Sequence, residues 1–94
     1  MKLTRSTGGA DRQRIDRWLW HARLVRSRTA AAVLASSGLV RVNGTRVQAA
    51  GRMLRRGDVI TVALDRAVRV LKVRDFVERR GSAAVGQNLY DELT

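Results

Sequence analysis

Arginine is the residue type in this sequence best able to do chemistry, and it is unevenly distributed. The chain has 94 residues and a formal net charge of +11 at pH 7. Residues 12–57 contain eleven Arg and a single acid, Asp16, whereas residues 58–94 contain six basic and six acidic residues. A guanidinium group can donate two parallel hydrogen bonds to a phosphate and can stack on a base. A folded surface of this kind therefore favours nucleic acid as its partner.

Residues for other chemistries are scarce. The sequence has no Cys, which excludes disulfides and thiolate metal sites. Its one His, His21, has no accompanying cluster of acids and makes a poor metal ligand by itself. No Ser/His/Asp or Cys/His arrangement is present, and the acids after Asp58 are scattered rather than paired. We therefore expect no catalytic residue, no metal and no cofactor.

Apolar runs in the sequence are short. The longest, Ala30 to Ala35, is shorter than a secretory signal core or a membrane span requires. We therefore expect a cytoplasmic protein without a membrane partner. We also expect it to be a monomer.

Two helices must position the arginines of the first half. Apolar residues at helical spacing predict a first helix over residues 14–24, with Ile15, Trp18, Leu19 and Ala22 facing the core. Ser27 is a suitable N-cap for a second helix over residues 28–37. Gly38 then lies where a left-handed residue ends a helix.

After Gly38 the apolar period changes from 3.6 to 2, which predicts strands. Val40 and Val42 alternate with Arg41, and Asn43-Gly44 predicts a hairpin that returns over residues 45–47. We expect a loop over residues 48–56 with Met53 and Leu54 directed into the core, then a turn at Gly57-Asp58. Strands over residues 60–64 and 68–74 follow, joined by a turn at Asp65-Arg66.

These elements predict an α+β fold in which two short N-terminal helices pack on a small, mostly antiparallel sheet. We divide the chain into a flexible leader over residues 1–11, a domain over 12–75 and a C-terminal tail over 76–94. The tail is either disordered or docks one helical turn through Leu89, Tyr90 and Leu93; the sequence leaves both open.

The order of landmarks over residues 14–64 resembles the S4 RNA-binding domain, also called the alpha-L motif. The matching residues are Arg14-Ile15-Asp16, Leu19, Arg23, Ser27-Arg28, Ala31, Gly38-Leu39-Val40, Val42-Asn43-Gly44, Gly57-Asp58, Ile60 and Val62. Trp18-Leu19-Trp20 and the Leu89-Tyr90 tail further resemble the bacterial fifteen-kilodalton heat-shock protein family. The resemblance implies an RNA-binding stress-response protein that associates with ribosomal RNA of the large subunit. It also implies a part in recycling or rescue of stalled subunits that carry nascent chain attached to tRNA.

In such a fold the helices and the hairpin form one face. We expect Arg23, Arg26 and Arg28 to converge there with Arg41 and Arg46, and the start of the second helix to offer free amides to a phosphate. Arg52, Arg55 and Arg56 would form the rim. The complete predicted RNA-binding set is Arg14, Arg17, Arg23, Arg26, Ser27, Arg28, Arg41, Asn43, Arg46, Arg52, Arg55 and Arg56.

For some residues of this region, a structural role is a simpler interpretation than contact with RNA. Asp16 is predicted to orient an arginine such as Arg23 or Arg28. Ser27 is a helix cap first, and His21 is an ordinary flank residue. Trp20 lies off the apolar stripe, so that packing against the tail and stacking on a base remain equal alternatives.

Two other classes of protein share features with this sequence, namely enzymes that carry such a domain and DNA-binding regulators. This kind of domain also occurs attached to pseudouridine synthases and tRNA synthetases, but no segment here is long enough for a catalytic domain. A sequence-specific DNA-binding regulator is the alternative, because two short helices with a tight break resemble a helix-turn-helix. Against it, the second helix is rich in Ala and poor in the donors that read base edges.

Overall fold

A computed structural model describes residues 11–94. The expected leader over residues 1–11 lies, apart from Asp11, outside the described residues. In chain order the elements are β1 (Arg12–Arg14), α1 (Ile15–His21), α2 (Arg28–Ser36), β2 (Val40–Val42), β3 (Thr45–Arg46), β4 (Met53–Arg55), β5 (Val59–Leu64), β6 (Ala67–Val73), α3 (Ala83–Gln87) and β7 (Tyr90–Glu92). The predicted α+β class is confirmed.

The helix pair α1–α2 forms as its local sequence predicts. Ile15, Trp18 and Leu19 are fully buried on the inner stripe of α1. The second helix contributes Ala31 and Ala35, and these small side chains allow the two helices to pack closely. The N-cap prediction is confirmed, since Ser27 Oγ accepts a hydrogen bond from the Ala30 amide at 3.0 Å. Gly38, with φ of +90°, ends α2 as expected.

The first helix ends earlier than predicted, at His21 rather than Leu24. Arg23 adopts a left-handed conformation with φ of +62°. Its amide donates to Trp20 O at 3.0 Å, and the Leu24 amide donates to Leu19 O at 3.1 Å. This is the Schellman pattern, which usually has glycine at the left-handed position. With Arg there, the sequence carried no indication of the stop.

A five-stranded antiparallel sheet with strand order β3-β2-β5-β6-β7 packs beneath the helices. The predicted hairpin turns at Asn43-Gly44 and Asp65-Arg66 both occur. Each has positive φ at its two central residues, 52° and 85° in the first and 49° and 67° in the second. Such mirror-image turns suit the twist of a hairpin. The inner face of the sheet buries Val40, Val42, Ile60, Val62, Leu71 and Val73.

A second, two-stranded ladder replaces much of the loop predicted over residues 48–56. Strand β1 pairs antiparallel with β4, with Gln13 opposite Leu54 and Arg14 opposite Met53. Since neighbouring residues of a strand face opposite sides, Leu54 is buried as predicted, but Met53 is 42% exposed. The prediction that Met53 enters the core was therefore wrong.

The tail is ordered, but not as the predicted helical turn. The helix α3 precedes Leu89, and Tyr90 begins strand β7, which pairs with β6. Phe76 and Leu89 join the core. At Gly86 the tail lies so close to α1 that an added Cβ would be 3.1 Å from the Ala22 carbonyl. Leu93, which was expected to dock, is 52% exposed.

Backbone carbonyls of residues 75–81, which we call the carbonyl clamp, hold side chains of β1 and α1. Asp75 O accepts from Trp18 Nε1 at 3.1 Å, and Val77 O accepts from Gln13 Nε2 at 2.8 Å. Two further donors are arginines, described below. The start of the chain and its tail are thus tied together across the helix pair.

Candidate nucleic-acid interface

A cleft of about 370 Å³ lies where β1, the start of α2 and the carbonyl clamp meet. We call it the arginine cleft. Five guanidinium groups face a single carboxylate, that of Glu78, among the residues that line it. The lining consists of Arg12, Gln13, Arg14, Arg17, Arg28, Met53, Glu78 and Arg79. Such a concentration of positive charge in a concave site attracts anions.

Asp16 fixes one side of the cleft. Its carboxylate accepts from Arg14 Nε at 3.1 Å and Nη2 at 2.9 Å, and from the Arg17 amide at 2.7 Å. Burial alone would raise the pKa of Asp16. The hydrogen bonds from Arg14 and the Arg17 amide, with the charges of Arg14 and Arg28, instead bring that pKa below its ordinary value. Asp16 therefore stays ionised and orients an arginine, but its hydrogen-bonded partner is Arg14 rather than the predicted Arg23 or Arg28.

The remaining arginines of the cleft differ in how they are held. Arg17 donates through Nη2 to Glu78 O at 2.6 Å, which is one of the clamp contacts. Within residues 11–94, Arg12, Arg28 and Arg79 form no hydrogen bond or ion pair through their side chains, and all three are exposed. Three guanidinium groups are thus available to a ligand beside two whose positions are fixed.

Arginines also lie directly opposite each other across two strand pairs. Arg12 faces Arg55 in the β1–β4 ladder, and Arg41 faces Arg46 in the β2–β3 hairpin. Like charges at such positions destabilise a sheet, by about 0.2–1 kcal/mol a pair. The fold contains this repulsion twice, and a bound polyanion would remove it.

The hairpin pair forms a second basic area, separate from the lining of the arginine cleft. Arg41 and Arg46 are both exposed, and Arg46 lies alongside Gly38 at the end of α2, about 4 Å from where a Cβ would be. Arg28 lines the cleft instead. These arginines were predicted to converge on one surface. In the structure they instead lie in two separate areas, the arginine cleft and the hairpin.

Two predicted contact residues are engaged inside the fold. Arg23 Nε and Nη2 donate to Gly81 O at 2.9 and 2.6 Å, which completes the carbonyl clamp. Arg56 pairs with Asp75 at 2.9 Å, and its guanidinium lies 5.2 Å from the centre of the Phe76 ring. Of the other predicted residues, Arg26 and Arg55 are exposed and Arg52 is partly buried.

Ser27 and Asn43 use their side chains for local structure. Ser27 caps α2, and Asn43 Nδ2 donates to Asp58 Oδ1 at 3.0 Å. Asn43 Oδ1 accepts from the Val59 amide at 2.9 Å. The hairpin turn is thereby fastened to the start of β5, which fixes the direction of Arg41 and Arg46.

Trp20 and His21 both lie against the tail. The Arg80 guanidinium lies 5.4 Å from the centre of the Trp20 ring and donates to Trp20 O at 3.0 Å. The structure shows Trp20 packed against Arg80 of the tail, and its stacking on a base stays a prediction. His21, predicted as an ordinary flank residue, is buried, with 1% exposed, and its Nδ1 has no hydrogen-bond partner within residues 11–94. Burial and the charges of Arg17, Arg28 and Arg80 lower the pKa of His21, despite its hydrogen bond to the Val77 backbone.

Sequence reasoning missed five residues of the cleft, namely Arg12, Gln13, Met53, Glu78 and Arg79. The charged-polar-charged alternation of residues 12–14 was the available indication of a strand with one exposed face. Nothing local connects Arg79 with Arg12, because 66 residues of chain separate them.

The described part of the chain has neither a metal-binding cluster nor a membrane-spanning helix. Within residues 11–94 no group of three or more His, Asp or Glu side chains could hold a metal ion. No helix of this part is long and apolar enough to cross a membrane.

Comparisons with known proteins agree with the resemblance seen in the sequence. A heat shock protein 15 homolog from Aeromonas salmonicida is 35% identical over 79 residues, which cover 84% of this chain and 59% of that protein. The chain thus spans less than two thirds of the length of that relative. The structure of Vibrio cholerae heat shock protein 15, described as trimeric, matches with a TM-score of 0.80 at 28% identity. The match covers 86% of this chain and 81% of that one.

A family model described as the S4 domain matches residues 13–60, which is half of the chain. These residues include Gln13 and Arg14 of β1, the helix pair, the hairpin and β4, and therefore most of the lining of the arginine cleft. The chain belongs to the S4 domain family.

Proposed function

We propose that this protein binds structured RNA through the arginine cleft and the hairpin arginines. The observation that carries the proposal is the two pairs of opposed arginines, Arg12 with Arg55 and Arg41 with Arg46, on a surface with five guanidiniums around one cleft. Like charges placed this way favour a polyanion held through its phosphates. The contacting set extends the predicted one by Arg12 and Arg79, while Arg23 and Arg56 support the site from within the fold.

The RNA is proposed to be ribosomal RNA of the large subunit. Support comes from membership of the S4 domain family and from the similarity to heat shock protein 15 relatives. The finer role is recycling or rescue of stalled large subunits that carry nascent chain attached to tRNA, as a non-enzymatic cytoplasmic protein. The expected monomer stays a prediction, since the similar Vibrio cholerae protein is described as trimeric.

Binding across a salt series tests the proposal. Affinity for a structured ribosomal RNA fragment would be compared with affinity for duplex DNA of equal length. If four to six phosphates are neutralised, log affinity falls with log salt at a slope of roughly −3 to −5. DNA binding equal to or tighter than RNA binding would support a DNA-binding regulator instead. In the middle of α2, the exposed residues Ala30 and Val33 carry no group that could read a base edge.

The ribosomal assignment has a separate test in cells. Extract would be fractionated on a sucrose gradient, and the protein followed by immunoblotting. Migration with large subunits is the expected result. Residence with free tRNA or with DNA would contradict the ribosomal assignment.

A further inference from the structure

We propose that the arginine cleft holds one unpaired nucleotide of the bound RNA. Its phosphate lies among Arg12, Arg28 and Arg79, and its base lies against Met53. This inference rests on the proposed RNA binding and adds to it the structural feature of the RNA that the protein selects.

The shape of the cleft is the first reason. Paired RNA presents a convex row of phosphates, for which an exposed strand such as the hairpin is sufficient. The arginine cleft is instead concave, and its volume of about 370 Å³ falls in the range of sites that enclose a small molecule. An unpaired nucleotide can turn out of the helix and enter such a site, whereas a paired one is held in the stack.

The exposure of Met53 is the second reason. Met53 is a large apolar residue that is 42% exposed, although its neighbour Leu54 is fully buried. It lies opposite Arg14 in the β1–β4 ladder and lines the cleft. A cleft used only for phosphates has no need of an apolar wall, whereas a base packs well on one side against a thioether and on the other against a planar guanidinium.

A polar group at the back of the cleft is the third reason. Gln13 lines the cleft and is only 7% exposed. Its Nε2 donates to Val77 O, but its Oε1 is buried and has no partner within residues 11–94. Because this oxygen is not exposed to solvent, the Gln13 side chain must shift slightly before a donor on the edge of a base can reach it. A nucleobase carries such donors, whereas a phosphate diester does not.

The arrangement of charge is consistent with one nucleotide rather than several. Arg14 and Arg17 are held by Asp16 and by Glu78 O, so their positions do not depend on a ligand. The unpaired guanidiniums of Arg12, Arg28 and Arg79 come from three separate segments around one opening. Together they can surround a single phosphate with bidentate donors.

The test uses two RNA hairpins with the same stem, one fully paired and one with a single unpaired nucleotide in the stem. Fluorescence anisotropy would give the affinity of the full chain for each. We expect the bulged hairpin to bind about tenfold more tightly. Met53→Ser should reduce this ratio to near one, because the bulged hairpin loses the apolar contact that its unpaired base makes.

A matched control keeps the result interpretable. Val68→Ser removes another exposed apolar residue, one that is 61% exposed on β6, and should leave the ratio unchanged. Equal affinity of the wild-type chain for both hairpins would overturn the nucleotide site and leave RNA binding intact. Equal weakening of both hairpins by Met53→Ser would overturn it too. Failure of the wild-type chain to bind either hairpin would overturn the proposed function itself.

Discussion

In the β6–β7 region, Arg69 and Arg74 each lie beside a carboxylate, whereas Arg12 of β1 and Arg41 of β2 lie opposite other arginines. Arg69 contacts Glu92 at 2.6 Å, and Arg74 contacts Asp91 at 3.5 Å. The hydrogen bond from Arg69 lowers the pKa of Glu92. The same residue type is thus neutralised within the fold at one edge of the molecule and left for an external anion at the other.

The difference indicates that the net positive charge of the chain does not by itself define the proposed interface. Arginines of the first half that are needed for the fold also have internal acceptors, as Arg23 has in Gly81 O and Arg56 in Asp75. What distinguishes the proposed interface is guanidinium groups that the fold positions without neutralising.

The largest effect is expected when the unpaired charges of the arginine cleft are removed. Replacing Arg12, Arg28 and Arg79 together by alanine should weaken binding of structured RNA roughly 100-fold, since three charge-assisted contacts of about 1 kcal/mol each are lost. The slope of log affinity against log salt should also become shallower by about 2 to 3. Fluorescence anisotropy in a salt series measures both quantities.

The control for this variant is Arg66→Asn, which removes one exposed charge at the β5–β6 turn. Asn tolerates the left-handed conformation that Arg66 has there, with φ of 67°. We expect little change in affinity. An effect of Arg66→Asn as large as one third of the triple variant's, in free energy, would mean that net charge alone decides binding.

A smaller effect is expected when Asp16, the single acid of residues 12–57, is replaced. Asp16→Asn removes the charge that Arg14 and the Arg17 amide contact, and should lower the free energy of unfolding by about 1–3 kcal/mol. Urea denaturation at pH 7 measures this change. Because the pKa of Asp16 is lowered in the folded chain, its contribution is present above the unfolded pKa of about 3.9 and is lost as pH falls below it. The variant should therefore lose less stability on acidification than the wild type; equal losses would contradict the assignment.

The next effect concerns the buried His21, whose pKa is lowered by burial and by the charges of nearby arginines. His21 has a lowered pKa in the folded chain, so the unfolded chain binds its proton first as pH falls. Stability should fall as pH drops below about 6.5, by at most about 1.4 kcal/mol per pH unit. His21→Gln should flatten this part of the stability profile, measured by thermal melting between pH 7.5 and 5. An unchanged slope in the variant would show that another group titrates there.

The smallest effect addresses the opposed arginines directly. Arg12→Thr should stabilise the RNA-free chain by about 0.2–1 kcal/mol, because it removes like-charge repulsion from the β1–β4 ladder. Arg69→Thr should do the opposite by about 0.5 kcal/mol, because it breaks the partly exposed pair with Glu92. Urea denaturation at low salt compares the two variants. A change of the same sign in both would contradict the contrast between the two edges.

Local sequence features predicted the helix pair and the hairpins well. Ser27, Gly38 and Asn43-Gly44 act on residues next to them, so their consequences can be read without knowing the fold. The β1–β4 ladder could not be predicted this way, because residues 12–14 include no apolar residue and their partners lie about 40 positions later. The end of α1 at a left-handed Arg23 and the burial of His21 likewise depend on the distant tail.

The candidate site was predictable in composition but not in arrangement. The charge asymmetry pointed to the part of the chain that supplies most of the cleft lining, whereas the grouping of Arg12 and Arg28 with Arg79 is set by long-range packing. Arg23 illustrates the limit, since the sequence placed it among contact residues and the structure directs its side chain to Gly81 O.

The carbonyl clamp has a consequence for the order in which this protein forms during synthesis. Trp18, Arg17 and Arg23 are held by carbonyls that lie 57 to 61 residues later in the chain. The segment that matches the S4 domain ends at residue 60, before any of these carbonyls. A growing chain that has emerged only that far therefore has an unsupported first helix and an incomplete arginine cleft. Because contacts of high sequence separation are slow to form, RNA binding should begin only after the tail has been made and docked.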